Sequence, residues 1–339
     1  MGLKYQSKQI IMKIKTILKE RFNYPFPDLI NPFADALQNV TDHQWIDGEL
    51  KDLIPASTRD KYKRTKTGFM SARWWPKTKS FDRLRPLGRF MLWSMYNDDM
   101  YEVATLDEVK NAQNLSIAIL KGQITADKAQ IPLGSQLQSI RDGFLNYIPS
   151  SSVDRFANTL NEYFDGLQME VLYKQNKVFP SVGNLLNIRV RILMICAFIE
   201  TIEIQNEVTL PDYIYSHPVI KRMYDLTTRI IGYFNDVQSL LKDEESGDVY
   251  FNIVKVLQHH YGLSKEDALE ETIRLHDIDL KEFHKLQSSL PDFGEWNNAV
   301  TELIEGMGYF MKGWQSVSLL ETERYGVDGF PQMEEIPKA

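Results

Sequence analysis

The sequence predicts an all-α fold, a single helical bundle around a deep apolar cavity, and three observations carry that expectation. Apolar residues recur at steps of three and four along most of the chain, while the strict alternation of a strand is sparse. No internal repeat or low-complexity linker divides the 339 residues, a length that one large helical domain accommodates. Two acidic clusters sit at the polar ends of otherwise apolar helical patterns. Carboxylates are uncomfortable there unless something cationic meets them.

Composition bounds the class. With 43% hydrophobic and 25% charged residues the chain is ordinary globular and can bury a sizeable core. A net charge of −7 argues against nucleic acid as a partner, since phosphate contacts need a basic surface. The single cysteine, Cys196, lies in the apolar run 192–199, so an internal disulfide is excluded and core packing in a reducing, cytoplasmic setting is expected. That run is also the longest apolar stretch, under half of what a bilayer span needs. Near the N-terminus, Ile10-Ile11-Met12 is followed at once by Lys13 and Lys15, which leaves no signal-peptide core. A soluble protein, monomer or homodimer, is expected.

Residues 1–22 read as a basic amphipathic extension, mobile or docked on the surface, ahead of Tyr24-Pro25-Phe26-Pro27. The helical domain is placed over 23–330 and a short tail over 331–339. Asn31 as N-cap and Pro32 at the first helical position open a helix toward Trp45. Residues 55–80, basic and dotted with Thr, Ser and Lys, read as loop-rich and close on Arg73-Trp74-Trp75-Pro76. Pro86 then starts a strongly amphipathic helix in which Leu87, Met91 and Met95 lead straight into Asp98, Asp99 and Glu102. Helical patterns follow at 107–121, 135–147, 153–175, 181–204 and 217–243. In the last of these Met223, Leu226, Ile230, Phe234, Val237 and Leu241 form the apolar stripe. Beyond Gly247 come 248–261, 264–275, 279–288 and 293–320.

The acidic clusters carry the chemistry. Each residue of an α-helix turns about 100°, so Asn235, Ser239 and Asp243 drift only about 40° per step and form one row of oxygen donors. Asp98 and Glu102 share a face by the same spacing, with Asp99 beside them. All are hard oxygen donors with no imidazole or thiolate interleaved, a set that suits Mg²⁺ rather than zinc or copper. Magnesium is held by a few carboxylates together with substrate phosphates, so two facing rows would clamp a diphosphate. Either cluster alone reads equally well as a solvated helix face. The two together, at these spacings and in this order, do not.

Asp98-Asp99-Met100-Tyr101-Glu102 and Asn235-Asp236 with Ser239 and Asp243 resemble the DDxx(D/E) and NDxxSxxx(E/D) magnesium motifs of microbial class I terpene synthases. The resemblance extends from the Asn31-Pro32 region to Arg324-Tyr325. It implies that Asp98 binds two of three Mg²⁺ ions, with Mn²⁺ a possible substitute, and that Asp99 and Glu102 contribute directly or through an intervening group. Asn235, Ser239 and Asp243 match the ligands of the remaining ion; Glu244 next door could compete with Asp243. Lys242 matches the basic residue that contacts the diphosphate. The family's diphosphate-sensing arginine lies 46 positions before the motif asparagine, which lands on Arg189, with Arg191 a plausible stand-in. Arg324 and Tyr325 match the C-terminal Arg-Tyr pair, and residues 252–264 look like the helix after the second motif. Arginine suits such positions because its planar fork donates two parallel hydrogen bonds to phosphate oxygens.

Departures from the family pattern matter too. Where relatives often carry a small or acidic residue and a glycine after the sensor arginine, this chain has Ile192 and Leu193, so the helix break there forms without glycine or lies elsewhere. Met95 and Ser318 stand where large aromatics are usual, which would widen the cavity; Trp93, Phe90, Trp74, Trp75 and Trp314 are candidate replacements or plain core. The implied reaction needs no nucleophile. The ions, Arg189, Lys242, Arg324 and Tyr325 would stabilise diphosphate as it leaves a linear prenyl diphosphate. An apolar wall would then fold the cation, which loses a proton or takes up water. The six histidines share no motif, and His259-His260 reads as helix surface. A chain-elongating prenyltransferase would carry a second DDxxD, and a non-catalytic helical interaction protein has no use for these rows. Farnesyl diphosphate is the commoner substrate of single-domain enzymes, whereas the two missing aromatics favour geranylgeranyl diphosphate.

Overall fold

In the computed structural model, which describes residues 2–102, 104–326 and 328–330, the apolar periodicity is realised as helices, with no strand among the described residues. The tail at 331–339 lies outside them. In chain order the helices are α1 (Gly2–Glu20), α2 (Ala34–Asn39, continued by a π-helical stretch Val40–Glu49), α3 (Ala56–Thr65), α4 (Thr67–Trp74) and α5 (Phe81–Tyr101). Next come α6 (Leu106–Leu120), α7 (Ala126–Ala129), α8 (Gly134–Leu145), α9 (Ser150–Asn176), α10 (Val182–Ile192), α11 (Ile195–Glu200), α12 (Ile202–Asn206) and α13 (Asp212–Tyr215). The chain closes with α14 (Pro218–Ser246), α15 (Ile253–Tyr261), α16 (Lys265–Ser288) and α17 (Asn297–Leu320). Helices α5, α9, α10, α11, α14 and α17 enclose the cavity. Outside them α6 and α8 cover α5 and α9, α15 and α16 cover α14, and α1 lies against α14 and α17. No single described helix is long and apolar enough to cross a membrane.

Several elements differ from the sequence expectation for identifiable reasons. The stretch 55–80 is helical rather than loop-rich, because α3 and α4 bury Tyr62, Met70 and Trp74 against the rest of the bundle. Helix α5 starts at Phe81, not Pro86. Ser80 caps it by accepting a bond from the Arg83 amide (3.3 Å), and Pro86 sits inside. Asn31 is not the N-cap of α2. Its side chain donates to the carbonyls of Trp75, Pro76 and Thr78 (3.3, 3.3 and 2.8 Å), stapling the α4–α5 turn. The expected pair 264–275 and 279–288 is one helix, α16. Two of its inward polar residues are satisfied, with His276 Nε2 3.1 Å from Tyr24 Oη and Tyr233 donating to Asp279 at 3.0 Å. The end of α1 is anchored: Leu18 and Phe22 are buried, and Gln315 donates to both of their carbonyls (3.2 and 2.6 Å).

The expected helix 181–204 is broken at Leu193–Met194, and no glycine lies in the break. Met194 takes φ +59°, a left-handed conformation that costs a non-glycine residue about 1–2 kcal/mol. The chain bends by 40° between α10 and α11–α12. Glycine is used instead on the two helices that face the break. A Cβ at Gly166 of α9 would lie 2.8 Å from Ile192 Cγ2 and 2.7 Å from Arg191 Cβ, and one at Gly232 of α14 would lie 2.9 Å from Leu193 Cδ1. Gly166→Ala is therefore expected to destabilise the fold by about 1–3 kcal/mol through overpacking. Gly183→Ala, where a Cβ meets nothing within 4 Å, is expected to be neutral or stabilising. Urea denaturation of the two variants checks the contrast.

Candidate active site

The stripe of α5 and the stripe of α14 converge on one mouth. Asp98 and Glu102 line it from α5, and Asn235, Ser239, Lys242 and Asp243 line it from α14. The two rows are tied together by Lys242, whose ammonium donates to Glu102 at 2.9 Å. Within the α14 row Ser239 donates to Asp243 Oδ2 (2.8 Å). Asn252, the N-cap of α15, donates to the same oxygen (2.8 Å). Glu244 turns away to Lys255 and Lys265 (3.2 and 2.6 Å), so Asp243 is the carboxylate that faces the cavity. Asp99 also points away from it. Its oxygens accept from Tyr62 Oη (2.9 Å) and from the Arg324 guanidinium.

Each expected diphosphate contact is at the mouth. Arg189 lines it, paired to Asp236 and donating to Asn235 Oδ1 at 3.3 Å, whereas Arg191 is exposed, with Nη1 3.7 Å from the Met169 sulfur. Tyr325 accepts from Asn235 Nδ2 at 3.0 Å. Arg324 is 4% exposed. Arg189 Nε and Arg324 Nη1 are buried without a hydrogen-bond partner, spare donors on two cavity-lining cations. Such donors suit an anion.

The electrostatics point the other way at Asp98. Burial, then the charges of Asp99, Glu102 and Glu170, push its carboxyl up to about 7, and no ion pair to it occurs among the described residues. Asp243 is pushed up to about 6 by burial, against the pull of Lys242. Burial also raises Glu102, but Lys242 and Lys174 outweigh it and hold that carboxyl below its usual range. Charge balance therefore calls for a cation at Asp98. The donors are oxygens of carboxylate, amide and hydroxyl, the set a hard divalent ion prefers. Among the described residues no three carboxylates or imidazoles converge closely enough to hold an ion alone, so ligands from the substrate would complete the shell.

Behind the mouth the wall turns apolar, with Trp74, Met95, Phe198, Ile231 and Trp314 facing inward. Trp74 meets Phe198 edge-on at 4.9 Å. The cavity measures about 170 Å³. One water requires roughly 10–15 Å³ on that scale, so this is no packing defect. Ser318 is not part of the wall; it is buried and donates to Gln238 at 3.2 Å. Phe90, Trp75 and Trp93 are core, while Trp74 and Trp314 do face the cavity. Cys196, expected in the core, is half-buried, its sulfur 3.5 Å from Thr228 Oγ1. His259 and His260 are on the surface, as read.

Three charged residues at the mouth escaped the sequence reading. Lys174 is held between Glu170 (2.9 Å) and Asp248 (2.6 Å), and all three line the cavity. The only signal was the i, i+4 spacing of Glu170 and Lys174, which ordinary surface pairs share. Phe330 also escaped notice; its ring lies 4.6 Å from the Lys242 ammonium and 4.4 Å from the Arg324 guanidinium.

A helical bundle whose acidic rows and cations crown an apolar cavity defines the class I terpene synthase architecture, and solved structures agree. The linalool/nerolidol synthase of Streptomyces clavuligerus superimposes with a TM-score of 0.73 at 18% identity, covering 88% of this chain and 99% of that one. The chain belongs to terpene synthase family 2, C-terminal metal binding, whose model matches residues 89–282, and is a microbial class I terpene synthase. Among characterised relatives, the germacrene A synthase of Nostoc punctiforme is 25% identical over 85% of this chain and 90% of its own length. The (+)-T-muurolol synthase of Roseiflexus castenholzii is 24% identical over 90% and 93%.

Two substitutions test the geometry. Arg189→Ala is expected to lower turnover by at least about two orders of magnitude and Arg191→Ala by less than about threefold, measured as diphosphate release. Ser318→Trp overfills a buried site beside Gln238 and is expected to cost about 1–3 kcal/mol of stability rather than to shift substrate preference. Thermal unfolding and a two-substrate competition separate those outcomes.

Proposed function

We propose that the protein ionises farnesyl diphosphate with three Mg²⁺ ions and cyclises the resulting cation to a C15 hydrocarbon or alcohol. The observation that carries this reading is the convergence of Arg189, Lys242, Arg324 and Tyr325 with Asp98, Glu102, Asn235, Ser239 and Asp243 on the mouth of one apolar cavity. On this reading Asp98 and Glu102 hold ions from α5, and Asn235, Ser239 and Asp243 hold one from α14. Asp99 acts through Arg324, whose position it fixes. Bound ions supply Lewis-acid polarisation of the departing oxygen. Arg189, Lys242 and Arg324 hold the leaving group by charge-assisted hydrogen bonds that strengthen as its charge grows. Tyr325 donates its hydroxyl hydrogen to the same anion, and the apolar floor excludes water from the cation.

A C15 chain is favoured over C20 for two reasons. Ser318 does not open the wall, and Trp74, Phe198 and Trp314 occupy it. The (+)-T-muurolol synthase relative is described as cyclising (2E,6E)-farnesyl diphosphate. Trp74, Phe198 and Trp314 line the cavity, and an aromatic ring facing a cation stabilises it by about 0.5–2 kcal/mol.

Incubation with the linear C10, C15 and C20 diphosphates, with mass spectrometry of the products, tests the reading. Farnesyl diphosphate should give a cyclic C15 product and free diphosphate, abolished by EDTA and restored by Mg²⁺. Asp98→Ala and Asn235→Ala should each abolish turnover with the helical circular dichroism intact. Full activity of either variant, or products lengthened by added isoprene units, would overturn it.

A further inference from the structure

Behind the broken helix lies a second depression, an open groove of about 940 Å³ on the outer surface between α9, α10, α13 and α14. Asp154, Arg155, Glu162, Arg191 and Asp225 line it, so charged groups that hold water surround its floor. Among the described residues Met194 alone belongs to the walls of both. Around it the segment is the wall between the two: Leu193, Ile195 and Phe198 face the cavity, while Arg191, Cys196 and Ala197 face the groove. Met194 is 4% exposed and is held at φ +59°, between the two ends of the break.

We propose that Met194 is the water barrier of the reaction cavity and thereby determines whether the last cation loses a proton or takes up water. The inference rests on the carbocation reading above. A water entering from the groove would give its oxygen lone pair to the cationic carbon, forming a C–O bond. The extra proton would pass to diphosphate or to groove water, leaving an alcohol. With the barrier in place a neighbouring C–H bond gives up its proton to diphosphate instead, its electron pair forms the C=C bond, and an alkene results. A methionine is suited to the task, because its flexible, apolar thioether fills irregular gaps between packed elements. Deleting its four side-chain heavy atoms opens far more than the roughly 10–15 Å³ that one water needs.

The test uses the full chain with farnesyl diphosphate in ¹⁸O-labelled water. Met194→Gly suits the positive φ and removes the side chain. The alcohol share of its products is expected to rise about threefold or more, with ¹⁸O incorporated and diphosphate release within about fivefold of wild type. Met194→Leu should keep the wild-type share. An unchanged share in a folded Met194→Gly protein overturns the proposal. A wild type that already makes much alcohol would compress that range, so access is measured directly as well. Met194→Cys in a Cys196→Ser background is treated with a charged methanethiosulfonate, with and without Mg²⁺ and inorganic pyrophosphate at the mouth. Labelling at equal rates supports entry from the groove. Protection of about tenfold or more shows that position 194 is reached through the mouth alone, and overturns the barrier. Absence of diphosphate release from every prenyl diphosphate sinks the carbocation reading instead, and leaves the labelling result to judge Met194.

Discussion

A buried charge must find an opposite charge, and that constraint organises the whole mouth of the cavity. Each cation there is already paired: Arg324 with Asp99, Lys242 with Glu102, Arg189 with Asp236, and Lys174 with Glu170 and Asp248. Apart from Glu170, which shares α9 with Lys174, the partners come from different segments: Lys242–Glu102 ties α14 to the end of α5, Arg189–Asp236 ties α10 to α14, and Lys174–Asp248 ties α9 to the turn after α14. Among the described residues Asp98 and Asp243 have no ion pair at the mouth, and burial pushes both carboxyls up. On the proposed reading, a diphosphate arriving with divalent cations would offer every member a better match at once. The arginines would gain phosphate oxygens and Asp98 a metal. On that reading binding would exchange the partners of the paired cations and neutralise the two unpaired carboxyls.

Much of this was legible in the sequence because helical spacing converts directly into faces. Asp98 with Glu102, and Asn235 with Ser239 and Asp243, share faces as the 100° turn requires. The interval from Asn235 back to Arg189 also separated the cavity arginine from its exposed neighbour Arg191. What stayed hidden depended on distant partners. The basic composition of 55–80 reads as loop until Tyr62 is seen against Asp99 and Arg73 between Asp28 and Glu321. Ser318 reads as a gap in the cavity wall until Gln238 is found beside it. Asp99 counts as a metal ligand by pattern, and only the fold turns it toward Arg324. Lys174 and Asp248 lie too far apart in sequence for any local pattern to join them.

The helix break shows how a requirement can move between elements. A left-handed residue is cheapest as glycine, yet Met194 occupies it, and the glycines sit opposite, at Gly166 and Gly232. The crowding that a bulky Ile192-Leu193 introduces is relieved on the surrounding helices rather than in the break itself. The compensation is visible only once α9 and α14 are packed around it.

The brace on the C-terminal segment has a consequence for how the chain is made. Arg324 reaches its partner Asp99 across 225 positions, Arg73 meets Glu321 across 248, and Gln315 holds the end of α1 across 297. During synthesis both acidic rows leave the ribosome well before the arginine and tyrosine that balance them. Domains fold largely from the N-terminus as they emerge, and contacts this distant in sequence form slowly. The nascent bundle must therefore pass through an interval with its carboxylates gathered and their last cations not yet made. A divalent cation bridging those carboxylates in that interval would act as a folding counter-charge, a role separate from the one proposed for it in catalysis.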